Sequence, residues 1–82
     1  MPAVDATLDL SQTGSPMLPL LVRQALARLG PGQRLEVHLA SAQWARDLPL
    51  ILRRTGDRCL VCEPTAQGWR LVVARGGPSA AK

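Results

Sequence analysis

The spacing of apolar residues changes period across Gly30-Pro31-Gly32, and that switch limits the possible folds more than any single motif. Before it, Leu18, Leu21, Val22, Ala25, Leu26 and Leu29 recur at the i, i+3, i+4, i+7 spacing that lines one face of a helix, while Arg23, Gln24 and Arg28 fall off the stripe. After it, Arg34 to Leu39 alternates, with Leu35, Val37 and Leu39 on one side and Glu36 and His38 on the other. A helix with one apolar stripe followed by a strand with one apolar face can hide both by packing one on the other, so a layered α/β domain is expected. Ser15 is a favourable N-cap for a helix over 16–29, Pro16 suits its first position, and Gly30 supplies a C-cap.

The remaining segments extend this pattern. Thr7-Leu8-Asp9-Leu10 alternates as a short strand. Between Ser41 and Thr55, Trp44, Ala45, Leu48, Ile51 and Leu52 stand at helical spacing, interrupted by Pro49. Two readings fit: a helix from near Ser41 that kinks, or a turn leading to a helix capped by Asp47 with Pro49 in its first turn. The second avoids an interior-proline penalty of about 3 kcal/mol and is preferred. Arg58 to Glu63 and Trp69 to Ala74 read as strands flanking a loop from Pro64 to Gly68. The expected fold is an α/β two-layer sandwich of order β-α-β-α-β-β. Its four-stranded mixed sheet carries both helices on one face, and Leu21, Val22, Leu26, Val37, Leu48 and Leu52 lie in the core.

A chain of 82 residues implies one domain, expected over 7–75, with flexible tails at 1–6 and 76–82 rich in Ala, Pro, Gly and Ser. Phe and Tyr are absent, so the core must be aliphatic, with Trp44 and Trp69 as plugs or rim. The longest apolar run, Met17 to Val22, falls far short of the roughly 20 residues that span a bilayer, and no charged-then-apolar leader opens the chain; a cytoplasmic protein is expected. The net charge of +4, almost all of it arginine, favours acidic partners and permits RNA binding, with Arg46, Arg53, Arg54 and Arg58 as a candidate patch. The lack of interleaved aromatic rings counts against RNA. His38 is the only histidine and points outward, away from any metal-ligand set. Cys59 and Cys62, three apart on a regular strand, would lie roughly 10 Å apart on opposite faces, shielded, and would form neither a disulfide nor a zinc site.

Four short elements then stand at telling separations: Leu8-Asp9, Ser15-Pro16, Pro31-Gly32 and Arg46-Asp47-Leu48-Pro49. Together, from Leu8 to about Val73, they resemble the TusA/SirA/YedF sulfur-carrier family, which reads L-D, then C-P-x-P, an amphipathic helix, P-G, a strand and an R-D-I-P element. The departures cluster around one site: Gln12 and Thr13 replace Gly-Leu, Ser15 replaces Cys, and Leu18 replaces the second Pro, with Pro19 one residue later. The resemblance implies a bacterial, cytoplasmic member of a sulfurtransferase family. In that family the cysteine sits at the first helix's N-terminus, where the dipole and free N–H groups stabilise a thiolate and hence a persulfide, loaded by a desulfurase.

Serine cannot hold that sulfur, because its hydroxyl stays protonated and has no S–S exchange chemistry. The expected function is therefore partner binding in sulfur-relay or redox metabolism, through Ser15, Pro16 and Met17 and the facing Arg46 and Asp47. The partner would be a cysteine desulfurase-like or relay protein. No catalytic residue, cofactor or metal is expected. One alternative is a genuine sulfur carrier, either because Ser15 stands in for a native cysteine or because Cys59 or Cys62 serves; the further changes at Gln12, Thr13 and Leu18 favour natural divergence. Another is an RNA-binding module using the arginines. The sequence leaves the oligomeric state open.

Overall fold

The computed structural model describes residues 4–12 and 16–76. The elements are β1 (Ala6–Leu10), α1 (Leu18–Ala27), β2 (Arg34–Leu39), α2 (Ala42–Arg53), β3 (Arg58–Thr65) and β4 (Gly68–Ala74). They form one four-stranded sheet of order β1-β2-β4-β3, in which β1 and β2 run parallel and the other neighbours antiparallel. Leu18, Val22 and Leu26 from α1 and Ala45, Leu48 and Leu52 from α2 meet Leu10, Leu35, Val37, Leu39, Leu71 and Val73 of the sheet in a single buried layer. This is the expected two-layer architecture. Leu21 is half-buried and packs against the layer instead of within it, as do Trp44 and Trp69.

The helix ends differ from the expectation. Helix α1 starts at Leu18, not Pro16, with Met17 as N-cap and Pro19 in the first turn. A first-turn proline lacks an N–H that would have had no acceptor there, so the helix can begin just ahead of Pro19. Ser15 lies outside the described residues, and its expected capping position is taken by Met17. Nor does Gly30 provide a left-handed cap: Arg28 closes α1 in a right-handed conformation, its N–H donating to the Ala25 carbonyl and the Leu29 N–H to the Leu26 carbonyl. The left-handed residue in this connection is Gly32, at φ 82°.

In α2 the less favoured reading proves right. Ser41 is extended, and its Oγ accepts the Trp44 N–H at 3.2 Å, so the helix begins there and runs continuously through Pro49; Asp47 caps nothing. A serine cap together with an apolar stripe that continues on both sides of the proline outweighs the cost of one missing helical hydrogen bond. The carbonyl that Pro49 leaves without its i+4 donor belongs to Ala45, and it accepts the Cys62 thiol at 3.6 Å.

The final hairpin is tighter than expected. Strands β3 and β4 continue through Pro64, Thr65 and Gly68, leaving residues 66–67 as the turn. Gly68, at φ 148°, is required twice over, because a Cβ there would also overlap the Leu39 carbonyl oxygen. The ordered region is also tied at its margins: Arg34 donates its N–H to the Asp5 carboxylate at 2.9 Å, and Gly76 donates to Asp57 at 2.9 Å.

Gly68 and Gly56 separate backbone strain from collision, since Gly56 has φ 87° but open space around its Cβ direction. Gly56→Ala should cost about 1 kcal/mol, from the left-handed conformation alone. Gly68→Ala should cost about 2–4 kcal/mol, because strain adds to overpacking against backbone. Urea unfolding midpoints of the two variants provide the comparison, and equal losses would contradict the close approach of β4 to Leu39.

Candidate functional site

Because β1 and β2 are parallel and each is followed by a helix returning over the same face, both helices start at the same end of the sheet. Met17 lies at that end before α1, Ser41 caps α2 there, and the hairpin turn at 66–67 joins them. Pro16 and Met17 are exposed. Arg46 and Asp47 lie in the second turn of α2, Arg46 76% exposed and its Nε 3.7 Å from the Asp47 carboxylate. The fold thus directs both expected docking segments toward one end, while Ser15 lies outside the described residues.

The two cysteines do not sit as a regular strand would place them. Cys59 pairs with Val73 and Val61 with Val72, so Leu60 is an extra residue in β3, a β-bulge. Cys62 consequently pairs with Leu71, and Leu71 and Val73 both belong to the helix-facing core. The inserted residue resets the alternation, and both thiols face the helix side, separated by about a two-residue step of roughly 7 Å. Cys62 is exposed, not shielded; Cys59 is half-buried and donates to the Val61 carbonyl at 3.2 Å. Burial, and secondarily the neighbouring Cys62, push the Cys59 thiol above its ordinary value, against a smaller opposing effect of the Val61 backbone hydrogen bond. A raised pKa keeps Cys59 as the unreactive thiol at neutral pH.

The sheet face away from the helices carries a polar chain that sequence reasoning missed. His38 Nε2 lies 2.7 Å from Glu36, Arg70 Nε lies 3.3 Å from the same carboxylate, and Arg70 NH1 donates to Glu63 at 3.0 Å. Glu36, His38, Arg70 and Glu63 converge because β2, β4 and β3 are adjacent and in register: His38 opposes Arg70, which opposes Glu63. The available signal was Glu36-x-His38, a carboxylate and an imidazole on one face of a strand; the pairing with Arg70 is a matter of topology. Burial pushes the Glu36 carboxyl up, but hydrogen bonds from Arg70 and His38 and their charges outweigh it and hold it below the usual range. Asp9, opposite His38 on β1, accepts the Ser11 N–H at 3.0 Å and is lowered chiefly by hydrogen bonds from Ser11. Among the described residues no group of three or more His, Cys, Asp or Glu side chains could hold a metal ion, and no helix is long and apolar enough to cross a membrane.

Compared with protein families, residues 6–75 match the family model described as Sulfurtransferase TusA. No curated protein matches the chain.

The Glu36 arrangement sets a pH dependence. A carboxyl whose folded pKa is lowered contributes stability that is fully present above its ordinary value, about 4.3, and is lost as pH falls through the lowered folded value. The melting-temperature difference between the parent and Glu36→Gln should therefore be largest near neutrality and shrink between about pH 5 and pH 3. A difference independent of pH over that window would show that the carboxylate's charge contributes nothing.

Proposed function

The chain belongs to the sulfurtransferase TusA family, and on that premise we propose that it is a sulfur-relay docking domain that binds a protein partner without carrying sulfur at position 15. The observation that carries this reading is the residue itself. Ser15-Pro16 falls inside the matched span, and in the resemblance drawn from the sequence it takes the place of the family's Cys-Pro. A serine hydroxyl offers neither a thiolate to attack a persulfide donor nor a sulfur to hold the product. The rest of the scaffold is retained, including a first helix that presents its N-terminus beside that of the second, so docking can outlive the chemistry. The partner in this reading is a cysteine desulfurase-like or redox-relay protein in the cytoplasm, contacting Pro16 and Met17 and the second-turn pair Arg46 and Asp47.

A second reading has its own support in the bulge. With Cys62 exposed on the helix side of an edge strand, a thiol is accessible that a regular strand would have paired differently. In that reading Cys62 accepts sulfane sulfur from a persulfide donor, forming its own persulfide and leaving the donor as a thiol. The high pKa of the neighbouring Cys59 does not help this chemistry, and the docking reading is preferred.

Incubation with a cysteine desulfurase, cysteine and pyridoxal phosphate, followed by intact mass measurement, distinguishes the two. No reductant-sensitive adduct of about 32 Da is expected, since in the docking reading the donor's persulfide meets position 15, where the serine has no sulfur to accept it. An adduct mapped to Cys62 would establish the carrier reading instead. If docking is retained, Ser15→Ala should bind the partner nearly as well as the parent, whereas Met17→Glu or Arg46→Glu should weaken binding tenfold or more, about 1.4 kcal/mol. Unchanged binding in both charge variants would remove the proposed surface.

A further inference from the structure

Six of the nine arginines are gathered by the topology at the end of the sheet opposite the helix starts. Arg28 caps the C-terminus of α1, Arg34 opens β2, Arg53 ends α2, Arg54 is its C-cap, Arg58 opens β3 and Arg75 follows β4. The sheet register confirms the grouping: Arg34 and Arg58 both oppose Ala74, and the Arg75 N–H donates to the Gln33 carbonyl at 2.8 Å. Arginine in a helix's last turn suits the dipole, but that accounts only for the residues on α1 and α2, not for Arg34, Arg58 and Arg75.

These charges are not neutralised within the fold. The two carboxylates at this end are already engaged: Asp5 accepts the Arg34 backbone N–H, and Asp57 accepts the Thr55 hydroxyl at 2.7 Å and the Gly76 N–H. Arg75 donates to the Leu29 carbonyl. Among the described residues, ion pairs are made only by His38, Arg46 and Arg70, none of which belongs to this cluster. Among the described residues the end therefore holds six guanidinium groups against two carboxylates that neutralise none of them directly.

A groove of about 500 Å³ opens on the same end, between the C-terminal half of α2 and the start of β3, lined by Pro49, Leu50, Arg53 and Arg58 and by Asp57, whose carboxylate is turned to the Thr55 hydroxyl and the Gly76 N–H. Leu50 is 59% exposed, and the bulged Leu60 is exposed on the adjoining strand. Exposed leucine beside unpaired arginine suits a partner that covers the one and pairs with the other. We propose that this groove is a second docking surface, one that takes an acidic protein segment with carboxylates flanking a large aliphatic side chain. This surface is independent of the docking reading above, because it lies at the other end of the molecule.

A nucleic acid fits it less well. Single-stranded nucleic acid is held by aromatic rings interleaved with cations, and the two rings of this chain, Trp44 in the first turn of α2 and Trp69 at the start of β4, are at the helix-start end. A phosphate backbone would also gain nothing from covering Leu50.

Fluorescence anisotropy with three labelled probes tests the proposal: a short Glu/Asp-rich peptide with two central leucines, the same peptide with serines for the leucines, and a single-stranded RNA of equal charge. The leucine peptide should bind best, and its binding should fall as salt is raised, because the paired charges are screened. The double variant Arg53→Glu, Arg58→Glu should weaken it at least tenfold, and Leu50→Ser at least threefold. Arg53→Lys with Arg58→Lys should stay within about threefold of the parent, which separates charge from packing. Met17→Glu should leave this binding unchanged, so that failure of one surface is not mistaken for failure of the other. Circular dichroism and melting temperature establish that each variant is folded. Peptide binding that survives the arginine reversal would overturn the proposal, as would RNA binding tighter than the leucine peptide and indifferent to Leu50→Ser.

Discussion

Every buried hydrophobic side chain of the described core is leucine, valine or alanine, and all but Val72 form one layer between the sheet and the two helices. Each large aliphatic group taken from water contributes on the order of 1.5–3 kcal/mol, so a small chain without Phe or Tyr depends on collecting them all in one place. That requirement puts both helices on the same face. Because each helix follows a strand of the parallel pair, the same requirement puts both helix starts at one end and both helix C-termini at the other. The end that gathers both helix starts and the arginine-rich end are two consequences of a single packing constraint.

Within this frame two local irregularities meet. Pro49 interrupts the hydrogen-bond ladder of α2, and the Leu60 bulge shifts the alternation of β3. Each alone would leave something unmatched: a helical carbonyl without a donor, or a thiol on an unplanned face. Together they place the Cys62 thiol against the Ala45 carbonyl. A thiol is a weak donor, so the contact matters less for stability than for position, because it fixes an exposed cysteine beside α2. The geometry also explains why the two thiols differ, one exposed and the other recessed with its pKa raised by burial.

The helix-free face obeys a different logic. Beside the buried Val72 and its partner Val61, its charged side chains are matched across strands: Glu36 receives both His38 and Arg70, and Arg70 also reaches Glu63. Such a chain neutralises its own charges. The arginine-rich end does not, and this contrast between matched and unmatched charge marks that end as a surface for something outside the chain.

The sequence by itself determined the element types and their order. The change from a 3.6-residue to a two-residue apolar period around Gly30-Pro31-Gly32 is a local property, and local patterns suffice to say which face of each element is buried. It also determined the identity of the residue at position 15, which carries the functional reading because serine and cysteine differ in intrinsic chemistry. Proline placement was misread where local cost was taken as decisive: the penalty at Pro49 is real, but the Ser41 cap and the packing of Ala45, Leu48 and Leu52 exceed it. Only the tertiary structure decided the face of the cysteines, since a bulge is defined by the partner strand and leaves no mark in spacing. It alone joined Glu36 to Arg70, thirty-four residues apart, and gathered six arginines at one end, because strand order and direction are set by how the whole apolar layer closes and not by any segment alone.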